Sequence, residues 1–179
     1  DSPIDWSQFS LSNIKDIRLK KKNDIREHQD DAIREVLKKF KEHDRGKLIM
    51  ACGTGKTFTA LRLMEQVVPK NGRVLFLAPS ISLVSQSLRE WTPQALTPIH
   101  AFVVCSDSKV GKNQEDLSLH DLAYPATTDA KKLALAANAV SKDRRTVVFS
   151  TYQSIQVVGD AQKLDLGEFD LVICDEAQR

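Results

Sequence analysis

The sequence predicts an α/β fold in which a mainly parallel sheet is covered by helices on both faces. Three observations predict it. Short, near-continuous apolar runs recur along the chain, segments of helical periodicity separate them, and the composition is that of one well-cored unit. Of 179 residues, 41% are hydrophobic and 28% charged. A chain of this length buries roughly 70% of the surface its unfolded form exposes. Strands buried on both faces read as continuous rather than alternating apolar runs, and the intervening helices complete three layers.

In chain order, residues 1–24, opening "DSPIDWSQFS", read as an irregular lead-in, and 25–179 as the folded lobe. From His28 to His43, the residues Ile33, Val36, Leu37 and Phe40 recur at helical spacing with charges between them. Strand-like runs follow at "KLIMA" (47–51), "RVLFLA" (73–78), "IHAFVV" (99–104), "TVVFS" (146–150) and "FDLVICD" (169–175). Helical patterns cover 56–67, 80–91, 127–141 and, more briefly, 152–158. The polar stretch 105–126, with Gly111 and Pro125, reads as a long surface loop. Trp6 and Trp91 read as packing residues, and Lys20-Lys21-Lys22 with Arg18, like Lys131-Lys132, as solvated basic faces.

The net charge of +2, from 26 basic and 24 acidic side chains, excludes a whole-molecule field for polyanions. Any polyanion site must be local. Cys52, Cys105 and Cys174 lack metal-ligand spacing, and an odd set suits a reducing interior better than a disulfide framework. Cys52 and Cys174 lie in apolar runs and read as small buried side chains. No signal peptide or bilayer-spanning run is visible, so no membrane partner is expected.

One local site stands out. "MACGTGKT" (50–57) joins a strand-like run to a helical one. Gly53 and Gly55 let the backbone turn back and aim its amides inward, where the next helix adds the positive end of its dipole. Such a nest suits a run of phosphates, with Lys56 bridging the outer ones and Thr57 offering its hydroxyl to Mg²⁺. Met50 stands where the strict pattern has glycine, so the first bend forms without that freedom. In "LVICDEAQ" (171–178), a strand delivers Asp175 and Glu176 to a carboxyl end of the sheet, where ligands of this architecture gather. Asp175 can hold a metal, and Glu176 can orient or deprotonate an attacking water. An acidic pair that merely ends a strand is the plainer alternative.

These residues resemble the first RecA-like lobe of superfamily 2 DEAD/DEAH-box helicases and translocases, a P-loop NTPase fold. "ACGTGKT" resembles motif I, "DEAQ" motif II, "APSISLVSQ" (78–86) motif Ia and "STYQSI" (150–155) a later nucleic-acid motif. "IREHQDDAI" (25–33) resembles the adenine-recognition motif. The stretch "DRGKLIMACGTGKTFTALRL" and the "IDWS" lead-in are similar to the motors of type I and type ISP restriction enzymes.

The resemblance implies ATP and Mg²⁺ as cofactors, hydrolysis of ATP, and DNA as partner, with duplex translocation as the work. It implies Cys52, Gly53, Thr54, Gly55, Lys56 and Thr57 as the phosphate loop, and Asp175 and Glu176 as the acids. Gln29 is implied to read the adenine edge and Arg26 to precede it. An ordinary polar residue at a helix start is the alternative for Gln29, and Glu27 replaces a common proline there. Pro79, Ser80, Ser82, Thr151, Tyr152 and Gln153 are implied to meet DNA phosphates. Without the resemblance, the serines and Thr151 read as helix caps. Gln178 stands where this group usually has histidine, a position that couples motifs in relatives.

The resemblance further implies a bacterial or archaeal cytoplasmic setting. A second RecA-like lobe with its arginine finger would follow in a full motor, with an upstream nuclease and a downstream methyltransferase. Since such a finger is worth about 10³–10⁵ in rate, the segment alone is expected to bind ATP weakly and turn it over very slowly. A nucleotide-binding switch or scaffold, or a repair or remodelling motor, remains the alternative.

Overall fold

The computed structural model describes residues 21–105 and 126–176. Five parallel strands form one sheet in the order β3-β2-β4-β1-β5. They are β1 (Arg73–Ala78), β2 (His100–Val104), β3 (Ala126–Thr127), β4 (Thr146–Thr151) and β5 (Leu171–Cys174). The helices are α1 (Glu27–Lys39), α2 (Lys56–Val67), α3 (Ile81–Gln94), α4 (Ala130–Ala139) and α5 (Ile155–Ala161).

The central strands read as continuous apolar runs because each serves two cores. Side chains alternate between faces with period two. Val74, Phe76 and Ala78 of β1 meet Leu61 and Met64 of α2 and Val84, Leu88 and Trp91 of α3. On the other face, Leu75 and Leu77 meet Leu133, Ala134 and Ala137 of α4 and Val158 and Ala161 of α5. Trp91 is the packing residue its helical spacing predicts. Its ring stands edge-on to Phe76 and Phe149, at centroid distances of 5.3 and 5.6 Å.

Buried charge pins the amino-terminal edge of this core. Arg145 donates from Nε to the Val68 carbonyl at 2.8 Å, and from Nη2 to the Glu65 carbonyl at 2.8 Å. Its cation therefore satisfies orphan carbonyls where the α2 dipole is negative. Lys22 does the same for α3, donating to the carbonyls of Ala95 and Leu96. The described end of the lead-in is thus tied down, although Lys22 itself stays exposed, as a solvated face predicts.

Helix α2 has the predicted bounds, and so does β1. The loop expected over 105–126 falls largely outside the described residues, apart from buried Cys105 and the two-residue β3 that ends it. Residues 47–51 depart from expectation, carrying no strand, with Ile49 81% exposed. They run opposite the free edge of β5 but do not pair with it. A parallel strand is stable when both faces are covered, and here Leu48 and Ile49 stand exposed. The same lack of cover explains β5 itself, where Val172 and Cys174 are exposed instead of buried. Cys52, in the glycine loop, is also exposed. Two of the three cysteines therefore correct the buried reading.

Phe149→Ala should cost about 3–5 kcal/mol, because it opens the aromatic cluster at its centre. Leu135→Ala, at a site 63% exposed, should change stability by less than about 0.5 kcal/mol. Urea unfolding of the two variants checks the contrast.

Candidate functional site

Strand register sets the geometry. Ala78 lies opposite Thr151, and Leu77 opposite Cys174. The three strand ends are therefore level, and Pro79-Ser80, Tyr152-Gln153 and Asp175-Glu176 all leave the same edge of the sheet. Asp175 prolongs the ladder by one bond, its amide donating to the Leu77 carbonyl at 2.8 Å.

The glycine loop reaches this edge from the other side of β5. Gly53 and Gly55 have φ of +75° and +83°, values that side-chain-bearing residues rarely adopt. Gly55 is also the residue that starts α2, and a Cβ there would lie 2.5 Å from Gln29 Nε2. The amides of Gly55, Lys56 and Thr57 have no acceptor among the described residues, and the first turn of α2 holds no acid. An uncapped, unopposed helix start suits an anion.

Lys56, Thr57, Asp175 and Glu176 line one open cleft of about 1010 Å³, whose apolar wall runs along β5 and the segment 44–50. A smaller cavity of about 200 Å³ lies at the opposite edge, near Arg73 and Thr146, away from all these residues. The Asp175 carboxyl is pushed above the usual aspartate range, first by burial and then by the neighbouring Glu176 charge. The Glu176 amide and the Lys56 ammonium pull it back in part. A half-buried carboxylate beside a second acid is short of positive charge, which is what a divalent cation supplies. Hard oxygen donors, here a hydroxyl and carboxylates, suit Mg²⁺.

The remaining implied residues divide by exposure. Gln29 is buried, with both ends of its amide in use: Oε1 accepts from the Arg26 amide at 3.0 Å and Nε2 donates to the Thr54 carbonyl at 2.9 Å. It thus ties α1 to the glycine loop. Thr54 closes that loop by donating its hydroxyl to the Ala51 carbonyl at 2.7 Å. Ser80 caps α3, accepting from the Leu83 amide. Thr151 is buried and donates to Ser154 Oγ at 3.1 Å. Pro79 and Gln153 are exposed, and Ser82 is half-buried. Ala177, Gln178 and Arg179 lie outside the described residues.

Two supports of the site had no sequence signal as such. His28 Nε2 lies 3.2 Å from the Thr54 carbonyl, beside Gln29 in the same motif. Trp91 donates its indole N–H to the Thr57 carbonyl at 2.9 Å, so a core residue also fixes the first turn of α2. Periodicity marks Trp91 as buried but cannot show where its one donor goes.

Comparison with known proteins points to one group. The family model described as "Type III restriction enzyme, res subunit" matches residues 22–179. The type ISP restriction-modification enzyme LlaBIII, solved bound to DNA and described as ATP-dependent, superposes with a TM-score of 0.83 at 42% identity, over 98% of this chain and 12% of that one. The type ISP enzyme LlaGI, a nuclease-deletion mutant solved with a DNA substrate mimic, gives 0.74 at 42% identity, over 88% and 15%. A probable helicase of African swine fever virus is 26% identical over 153 residues, covering 85% of this chain and 16% of its own. The chain thus spans less than a fifth of the length of each of these relatives.

Because the Asp175 pKa is raised in the fold, its stabilising contribution is complete below the usual aspartate pKa and is lost as pH rises through the raised value. Asp175→Asn should therefore raise the Tm of the nucleotide-free, metal-free chain at pH 7 by about 1–2 °C. The gap from the parent should close below roughly pH 4. Thermal melts across pH check this, and a lower Tm at pH 7 would contradict the assignment.

Proposed function

The chain belongs to the type III restriction enzyme res-subunit family, and on that premise we propose that it is the ATP-hydrolysing motor lobe of a duplex-DNA translocase within a restriction-modification enzyme. One observation carries the reading: Lys56 and Thr57, at the head of α2, share a cleft with Asp175 and Glu176. A pure nucleotide binder has no use for the second acid. The ATP dependence and bound DNA of LlaBIII support the choice of substrates.

In this mechanism the amides of Gly55, Lys56 and Thr57, with Cys52, Gly53 and Thr54 shaping the same loop, bind the phosphate chain. Lys56 neutralises its outer charge. The Thr57 hydroxyl and the Asp175 carboxylate would hold Mg²⁺, which would stabilise charge on the phosphoryl oxygens. Glu176 orients the attacking water and takes its proton. Gln29, with Arg26, recognises adenine. Its amide already holds Thr54, so base recognition and loop position are linked through one side chain.

DNA passes along the level strand ends, where Pro79, Ser80, Ser82 and Gln153 meet backbone phosphates. Thr151 and the Tyr152 ring brace that track from beneath. A second RecA-like lobe supplies the arginine finger. The restriction-enzyme reading sets this work in the interior of a bacterial or archaeal cell. Among the described residues, no helix is long and apolar enough to cross a membrane.

In the full polypeptide, Lys56→Ala should lower ATP turnover at least about 100-fold, since it removes the charge that opposes the developing phosphate charge, while leaving the circular dichroism spectrum unchanged. Turnover of the parent should rise most with duplex DNA. Stimulation by single strands alone would indicate strand separation instead, and indifference to all DNA would indicate a nucleotide switch.

A further inference from the structure

We propose that Tyr152 is a positioning residue that couples the DNA-side turn to the hydrolytic acids, through its hydroxyl and the backbone of Asp175. The proposal rests on the motor reading above and goes beyond it. It assigns Tyr152 a contact with the acid pair in place of a phosphate contact.

The Tyr152 Oη donates to the Asp175 carbonyl at 2.8 Å. Tyr152 begins the turn after β4, and Asp175 follows the end of β5, so the bond passes under the end of the intervening strand β1. That distance is two strand spacings, roughly 9.5 Å, within the combined reach of a tyrosine and a carbonyl. The ring packs against the core cluster that contains Leu75 and Leu77 of β1. Burial is the main reason the phenol is pushed up to about 12, with the Cys174 thiol and Asp175 adding to the effect.

The bond matters because of what it holds. Asp175 is fixed on one side by Leu77, which accepts its amide, and on the other by Tyr152, which donates to its carbonyl. Directly beyond it, Glu176 has φ of +48°, a left-handed conformation that costs a residue with a Cβ about 1 kcal/mol or more. Its amide is turned back to Asp175 Oδ1 at 3.1 Å. A strained acid next to a doubly anchored one keeps its orientation only while both anchors hold. Gln153, adjacent to Tyr152 along the chain, is exposed on the proposed DNA track. A phosphate that shifts this turn therefore moves the anchor of Asp175 and, through it, Glu176.

The test is Tyr152→Phe in the full polypeptide, which removes one oxygen and keeps the packed ring. DNA-stimulated kcat should fall about threefold to tenfold, the worth of one such hydrogen bond. The KM for ATP and the Tm should stay within about twofold or 2 °C of the parent, and the basal rate without DNA should fall by a smaller factor than the stimulated one. Equal stimulation of parent and variant would overturn the coupling while leaving the motor reading intact. An equal fall in the basal rate would overturn it too, by showing that the hydroxyl acts without DNA. A parent that no DNA stimulates would overturn the motor reading and the coupling with it.

Discussion

The constraint on which the site depends is the reversal of the chain between Gly53 and Gly55. Two left-handed residues in three turn the backbone into the start of α2, whose first residues, Lys56 and Thr57, line the cleft. A side chain at Gly55 would meet Gln29, so the turn is also where α1 locks against the loop. Lys56 and Thr57 owe their position to this turn. Asp175 owes its own to an unrelated device, the register of parallel strands that levels the sheet edge. The two meet in one cleft, where the proposed chemistry belongs.

Much of this was legible in the sequence, for identifiable reasons. Helix α2 and strand β1 are strongly patterned and bounded by glycine or proline, so local signals and tertiary packing agree on their limits. The glycine loop was legible because few residues tolerate its φ values. Segment 47–51 was not. Its apolar residues have the composition of a strand, but a strand is a relation to a neighbour, and composition cannot say whether the edge of β5 is covered. Cys174 was misread for the same cause, since an apolar run signals burial only where a second layer exists.

Polar atoms were the least legible part. Gln29, Thr151, Tyr152 and Trp91 were each assignable to a motif or to the core, yet the partner of each donor depends on where distant strands end. Gln29 holds the glycine loop, Thr151 the turn after β4, Trp91 the head of α2 and Tyr152 the carbonyl of Asp175. Gln29, Trp91 and Tyr152 each tie one element to the backbone of another, while Thr151 braces its own turn. Arrangements of this kind hold reactive groups in place before a ligand arrives, which is where much of enzymatic rate enhancement originates.

On this account, the head of α2 and the end of β5 would converge on one metal-bound polyphosphate. Titrating the isotopically labelled chain with Mn²⁺ and ATP tests it directly, because the paramagnetic ion broadens the resonances of nearby nuclei. Broadening should appear together at Lys56, Thr57, Asp175 and Glu176, with Arg73 and Thr146 at the far edge spared. Broadening at only one of the two elements, or at the far edge, would contradict the account.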